Sequence, residues 1–165
     1  MFKRFPHKKD EALALDIPYV EVFPIPPVSA PDAQKVEGEV AVLSDLTTAI
    51  RTADHTLADW LRVDQGLAKL PGALVEASRL DADGFVAAVR AALPKREAFG
   101  PLRLVRIRDA FTEVAEPARA ARTAALGHEH TLSALVNRAY GLSDEEVALM
   151  WRTAPPRMPV PPPAA

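Results

Sequence analysis

Between Asp32 and Arg62, a run of mostly apolar residues recurs at alternating spacings of four and three. Such spacing is typical of a long helix that packs nearly parallel or antiparallel to another helix. At about 1.5 Å per residue, this helix would be roughly 45 Å long, so it requires an equally long partner. Polar Thr47 and Asp54 weaken the pattern. The predicted interface positions are Val36, Val40, Leu43, Thr47, Ile50, Asp54, Leu57 and Leu61.

The predicted partner is the last long helix, from about Pro117 to Tyr140, with which the first is expected to form a long antiparallel helical hairpin. Its predicted buried face consists of Ala121, Ala125, Leu132, Leu135, Val136 and Tyr140. Shorter helices are expected in between. One is capped by Asp81 and buries Phe85, Val86, Val89 and Leu93; the next has Pro101 in its first turn and buries Leu104, Ile107, Phe111 and Val114. The region from Val63 to Gly84 is expected to consist of turns and one helical turn.

Sixteen prolines divide the chain into three parts. Residues 1–31 form a proline-rich, extended lead-in, in which the alternating run Tyr19–Phe23 is typical of one strand. Residues 32–152 form the helical domain. Residues 153–165 form a proline-rich tail that we expect to be extended and disordered, because six of its last eleven residues are prolines.

The composition supports a mainly α-helical domain with a core. Apolar residues make up 48% of the 165 positions, whereas aromatic residues make up only 6% and there are seven glycines, which disfavours a sandwich or barrel. The absence of cysteine excludes disulfides, thiolate metal sites and a cysteine nucleophile. No apolar run is long enough to span a bilayer and no signal peptide is recognisable, so a cytoplasmic location is expected.

The net charge of −2 conceals an uneven distribution of charge. Residues 32–83 hold ten acids against five bases, and residues 95–122 hold seven bases against four acids. The basic residues are candidates for DNA-phosphate contacts. They are the N-terminal Lys3, Arg4, Lys8 and Lys9 and the helical Arg103 and Arg106. The alternative for the helical arginines, including Arg108, is a surface of ion pairs with Asp109 and Glu113.

No motif for catalysis or cofactor binding is recognisable. The sequence contains no glycine-rich nucleotide loop and no nucleophile elbow. His128 and His130 lie two residues apart, so on a helix they point about 200° apart and cannot bind one metal ion together. We therefore expect one of them at the surface and the other at the edge of a packed region, and no cofactor in this chain.

The stretch "AYGLSDEEVALMW" predicts a helix corner with a cap on each side. Gly141 follows the periodic residues after Tyr140, where a left-handed residue is favoured. Ser143 and Glu146 form a capping box for the following helix. Val147, Met150 and Trp151 are then expected to pack on the preceding structure.

The ending "LVNRAYGLSDEEVALMWRTAPPRMP" resembles the C-terminal end of adenine-specific DNA methyltransferases of type II and IIG restriction-modification and phage-defence systems. The segment "VFPIPPVS" resembles the part of that family that leads from the target-recognition region into a helical spacer. "LADWLRVDQGLAKLPG" and "LDADGFVAAVRAALPK" follow in the same order as in the family. The resemblance covers roughly residues 19–159.

The resemblance implies a noncatalytic helical module associated with target recognition. The family's S-adenosylmethionine loop and catalytic Pro-Pro loop have no counterpart here, so no catalytic residue of the family can be assigned to this chain. A truncated or split piece is implied, whose partners are double-stranded DNA and the missing catalytic region or subunit. The alternative is a stand-alone helical protein–protein interaction module unrelated to DNA.

Overall fold

The computed structural model describes residues 24–94 and 99–154. These residues are mainly helical and contain no strand, which confirms the predicted class; the predicted strand Tyr19–Phe23 lies outside the described residues. The helices are α1 (Ala30–Val63), α2 (Gly72–Val75), α3 (Ala82–Ala92), α4 (Pro101–Ala110), α5 (Glu116–Ala139) and α6 (Asp144–Arg152), with a 3₁₀ turn at Ala77–Arg79 and a π turn at Phe111–Ala115.

Helix α1 is the predicted long helix and begins two residues earlier than expected. Ser29 caps it, because its side-chain oxygen accepts a hydrogen bond from the Asp32 amide at 3.3 Å, and Pro31 occupies the first turn. After α1 the chain turns at Gly66, whose φ of 71° lies in the left-handed region that favours glycine. Asp81 caps α3 as predicted, with its side chain accepting from the Gly84 amide at 2.7 Å.

Helices α1 and α5 pack together as an antiparallel hairpin, as predicted. Three contacts fix the direction: Asp32 pairs with Arg138, Glu39 with His128, and Asp54 with Arg122. As the residue number increases along α1, the number of its partner on α5 decreases, so the two helices run antiparallel. We call residues 30–49 of α1 and 126–139 of α5 the arm.

The hydrophobic core lies at one end of the hairpin, beyond the arm. Phe85 of α3 and Phe111 of the π turn are fully buried there, with ring centroids 5.1 Å apart. Within the arm itself, by contrast, Leu135 is the buried residue that the structure describes. The core cluster comprises Leu57, Leu61, Leu67, Leu74, Ala77, Phe85, Val89, Leu93, Ile107, Phe111 and Ala115.

The predicted interface of α1 is correct at Ile50 and Leu57 but wrong at two arm positions. Val40 is 51% exposed and Thr47 is also exposed. The neighbouring positions Glu39 and Leu46 are partly buried instead. Since α-helices have 3.6 residues per turn, adjacent residues differ by only about 100° in direction, and the sequence pattern favoured the apolar Val40 over the charged Glu39. The carboxylate of Glu39 has a partner on α5, which offsets its burial.

The two helices predicted around Pro101–Ala115 and Pro117–Tyr140 are one continuous helical segment. Proline at position 117 suggested a new start, because it cannot donate a backbone hydrogen bond. The π turn absorbs this defect: the Glu116 amide bonds to the Phe111 carbonyl, a wider spacing than in an α-helix. The helical path therefore continues through Pro117 from Pro101 to Ala139.

The predicted buried face of the last helix is only partly correct. Leu135 is buried, whereas Val136 is 47% exposed and Tyr140 is 39% exposed. The Tyr140 hydroxyl donates to the Pro24 carbonyl at 2.9 Å, which ties the extended residues before α1 to the end of α5. Met150 of α6 is 54% exposed, contrary to the expectation that it packs on the preceding structure.

Both predicted caps of the α5–α6 corner are present. Gly141 has a φ of 67°, its amide bonds to the Arg138 carbonyl at 3.0 Å, and the Leu142 amide bonds to the Asn137 carbonyl at 3.0 Å. This pair of bonds is a Schellman motif. At the start of α6, Glu146 accepts from the Ser143 amide at 2.8 Å, and Ser143 accepts from the Glu146 amide at 3.3 Å.

Replacing Gly141 with valine is expected to destabilise this corner by about 1–3 kcal/mol, because a β-branched residue is strained at positive φ. No atom of the described residues lies within 4 Å of the position a Cβ would occupy, so the cost is one of backbone conformation. Amide hydrogen exchange of α6 measures it. Gly141→Asn is the matched control and should cost less, since asparagine tolerates this conformation; equal effects of both variants would contradict the explanation.

The capping box makes the start of α6 sensitive to acid. Hydrogen bonds from the Ser143 amide and side chain lower the pKa of Glu146 below its ordinary value of 4.5. A carboxyl group with a lowered folded-state pKa contributes stability above its unfolded pKa and loses it as the pH falls through the folded value. We expect the protection of the α6 amides from hydrogen exchange to decrease below about pH 4.5 in the parent chain. In Glu146→Gln this contribution to the pH dependence should be absent. An NMR titration should show the Glu146 pKa rising in Ser143→Ala; an unchanged titration would contradict the assignment.

Candidate functional site

An ion pair between a buried aspartate and a partly buried arginine connects the two long helices with the 3₁₀ turn. Asp54 of α1 accepts from the Ser78 amide at 2.8 Å and from the Ser78 hydroxyl at 3.0 Å. Arg122 of α5 donates to the same carboxylate at 2.9 Å and to the Ser78 hydroxyl oxygen at 2.7 Å. Asp54 is 7% exposed and Ser78 is 1% exposed. These three side chains satisfy one another and fix three elements in one arrangement.

A groove of about 740 Å³ lies beside this ion pair, between α1, α5 and the α2–3₁₀ segment. Apolar side chains such as Ile50 and Leu126 form part of its surface. The charged groups include Arg51, Arg62, Arg79 and Glu129, and several are already paired: Arg79 with Glu76 at 2.6 Å, and Arg62 with Asp59 at 3.0 Å. The groove residues are Thr47, Ile50, Arg51, Asp54, His55, Ala58, Arg62, Val75, Glu76, Arg79, Arg122, Ala125, Leu126 and Glu129.

The groove is suited to binding rather than to nucleophilic chemistry. Ser78 is the hydroxyl nearest the ion pair, but it is buried, donates to Asp54 and accepts from Arg122. Among the described residues, no histidine is hydrogen-bonded to it to act as a base, as nucleophilic catalysis by serine requires. Arg122 is held by two side-chain partners in a fixed orientation at the wall of the groove. The arrangement therefore places an ion pair without net charge beside an apolar surface.

Both histidines of the pair are partly buried, so neither is the surface residue that the sequence predicted. His128 Nδ1 lies 2.6 Å from Glu39 Oε2, across the arm, and both side chains are partly buried. Among residues 24–94 and 99–154, no group of three or more histidine, aspartate or glutamate side chains is arranged to hold a metal ion.

The predicted phosphate-contacting residues are not brought together. Arg103 is committed to Gln65, donating to its side chain at 3.0 Å and to its backbone carbonyl at 3.1 Å. Arg106 is exposed beside a shallow cavity that it shares with Asp109 and Glu113. Arg108 forms an ion pair with Asp83 at 2.7 Å, rather than with the acids expected on its own helix. Lys3, Arg4, Lys8 and Lys9 lie outside the described residues.

The Asp54–Ser78–Arg122 cluster was not predicted from the sequence, although one signal was present. Asp54 occupies an interface position of the α1 pattern, and a carboxylate at such a position requires a partner. The partner could not be identified, because Arg122 is 68 residues away and Ser78 belongs to a segment without a periodic pattern. From the sequence, Asp54 was therefore interpreted as a residue that weakens the helix interface, whereas in the structure its carboxylate stabilises it.

Comparison with known proteins identifies the family of this chain. Residues 29–136 match the model of a family described as a domain of unknown function, DUF8810. Because the match covers more than half of the chain, the protein belongs to this family. Neither the curated proteins nor the solved structures contain a significant match. The matched region spans α1 to most of α5, and it therefore includes most of the hairpin, the core and the ion pair.

No helix in the described ranges is both long and apolar enough to cross a membrane.

Proposed function

We propose that this chain is a noncatalytic helical module of an adenine-specific DNA methyltransferase of the restriction-modification class. Its proposed role is to connect a catalytic region or subunit with target DNA. The ordered resemblance across residues 19–159 supports this proposal. The S-adenosylmethionine site and the catalytic Pro-Pro loop would belong to the catalytic region. This chain would orient that region relative to the DNA.

The geometry of the arm end is the observation that carries the proposal. The segment that bears the resemblance is a rigid corner, in which caps on both sides fix the direction of α6 relative to α5. Leu149 and Met150 of α6 are 50% and 54% exposed, and Val136 of α5 is 47% exposed. Exposed apolar side chains on a fixed corner provide a surface for a partner subunit.

DNA contact is proposed mainly for the basic N-terminal residues. Most arginines of the described helices already bond to another side chain of this chain. Their guanidinium groups are therefore less available to bind phosphates. Arg106, by contrast, is exposed and forms none of the ion pairs observed in the described ranges. The engaged arginines are Arg62, Arg79, Arg103, Arg108, Arg119, Arg122 and Arg138. The proposed phosphate contacts are therefore Lys3, Arg4, Lys8 and Lys9, with Arg106 as an addition.

Duplex-DNA binding at several salt concentrations tests this proposal, using fluorescence anisotropy of the full chain alone and with the co-purified catalytic subunit. If the four N-terminal cations bind phosphates, their replacement by glutamine should reduce the salt slope by about 0.9 for each phosphate that is no longer neutralised. Replacing Lys35, Lys69, Arg90 and Arg152 with glutamine is the matched control, because it removes the same charge elsewhere. An absence of salt-dependent binding with and without the subunit would contradict the proposal.

A stand-alone helical interaction protein is the second candidate, and the exposure of Ile25 favours it. This side chain is 82% exposed beside the end of the arm, as a binding surface for any protein partner would require. The two candidates differ in the partner they require. Co-purification from the native host should recover a methyltransferase catalytic polypeptide under the first proposal, and a protein unrelated to DNA under the second.

A further inference from the structure

A second surface of α1, away from the corner, has the properties of a self-association site. Val40, Ser44, Thr47 and Thr48 are exposed on the side of α1 next to the groove. With Leu43 and Arg51 they line a shallow depression of about 310 Å³. The Thr48 hydroxyl donates to the Ser44 carbonyl at 2.9 Å, so its polarity is satisfied within α1. We call Glu37, Val40, Ser44, Thr47, Thr48 and Arg51 the outer stripe.

The outer stripe has one valine and three small hydroxyl residues at its centre and opposite charges at its ends. Val40 is the large apolar residue of the stripe, 51% exposed, and Ser44 is small enough for two helices to approach closely. Glu37 and Arg51 lie seven residues before and after Ser44, which is nearly two helical turns in each direction. Neither forms an ion pair with another residue in the described part of the chain. When a second copy of α1 lies antiparallel to the first, the acidic end of one outer stripe therefore lies opposite the basic end of the other.

We propose that α1 pairs antiparallel with α1 of a second copy of this chain, crossing at Ser44. In this register, Glu37 lies opposite Arg51 of the second copy, and Arg51 lies opposite its Glu37. A two-fold interface requires this reciprocity, in which each contact occurs twice. An unrelated partner would have no reason to match the spacing of both charges about one small residue. The second copy also covers Val40, which α5 leaves exposed.

The same register accounts for the groove beside the ion pair. The groove shares Thr47 and Arg51 with the outer stripe, so the two depressions form one continuous surface along α1. Antiparallel pairing about Ser44 places the start of the second copy's α1 along the end of α1 where His55 and Arg62 are exposed on either side of the buried Ala58. Val28, which is 46% exposed just before α1, is then brought to the apolar part of the groove. The two arms together form a four-helix arrangement. This inference does not rest on the proposed methyltransferase role.

Sedimentation equilibrium of the full chain tests the proposal through a charge swap. The parent mass should rise with concentration from 17.9 kDa towards twice that value. Glu37→Arg and Arg51→Glu should each weaken the dimer about tenfold or more, since each variant places like charges together at two symmetric positions. The double variant E37R/R51E should restore association close to the parent level.

Asp45→Arg is the matched control, because it reverses a charge on another face of α1 and should leave the dimer constant unchanged. Circular dichroism verifies that each variant keeps the parent helicity. A parent chain that remains at 17.9 kDa up to several hundred micromolar would overturn the proposal. So would single reversals without effect, or a double variant that associates no better than the single ones.

Discussion

Phe111→Ala is expected to lower the free energy of unfolding by about 3–5 kcal/mol, the range found when a buried phenylalanine is truncated. Phe111 is fully buried, packs on Phe85 with ring centroids 5.1 Å apart, and lies in the π turn where α4 becomes α5. Removal of the Phe111 ring leaves a cavity in the core at the junction of α4 and α5. Urea unfolding followed by circular dichroism at 222 nm measures the loss.

Leu102→Ala is the control for Phe111→Ala, because Leu102 lies on the same continuous helical segment but is 80% exposed. It should change the free energy of unfolding by no more than about 0.5 kcal/mol. A small effect of Phe111→Ala, similar to that of the control, would show that the core is not centred on the two phenylalanines.

Asp54→Ala is expected to lower the free energy of unfolding by about 1–3 kcal/mol, the range for leaving a buried polar group without its hydrogen-bond partner. The substitution leaves the Arg122 guanidinium beside the Ser78 hydroxyl without a carboxylate, and it removes the acceptor of the Ser78 amide. The loss of the acceptor for the buried Ser78 amide accounts for most of the penalty, because the Arg122 side chain is 27% exposed and can be partly solvated. The measurement is again equilibrium unfolding in urea.

A double-mutant cycle separates the two contributions to this effect. Asp54→Ala combined with Arg122→Ala should cost clearly less than the sum of the two single variants, because the second change removes the unpaired charge. Asp59→Ala is the matched surface control: Asp59 is about half exposed, contacts Arg62 at 3.0 Å, and should cost less than about 1 kcal/mol. Strict additivity in the cycle would contradict the assignment of Asp54 and Arg122 as an ion pair.

The sequence was sufficient to predict features that depend on local chemistry. Ser143 with Glu146, Gly141 after the last periodic residue, and Asp81 before α3 act within three or four residues, so their spacing alone specifies the cap. The pairing of α1 with α5 was also predictable, because a long patterned helix requires a long partner and the chain offers one other long helix. These features require no knowledge of which distant residues meet.

Features that depend on distant partners could not be predicted in the same way. The inward position of Glu39 depends on His128, and that of Asp54 depends on Arg122, both on the other side of the hairpin. Hydrophobic periodicity alone predicts that a charged side chain is exposed to solvent, unless its partner is known. The continuity of the helix through Pro117 likewise depends on a π turn, whose wider hydrogen bond accommodates a residue that cannot donate.

The uninterrupted helical path from Pro101 to Ala139 has a mechanical consequence. From the π turn to the end of α5 it extends about 39 Å at 1.5 Å per residue, and its origin is clamped in the core by Phe111 and Ala115. π turns are points at which helices bend. A tilt of about 5° at this point displaces the far end by about 3 Å. Because the Asp32–Arg138 and Glu39–His128 contacts tie α5 to α1, such a tilt also has to shift these contacts, so a rearrangement in the core is transmitted to the whole arm and to the corner that carries α6.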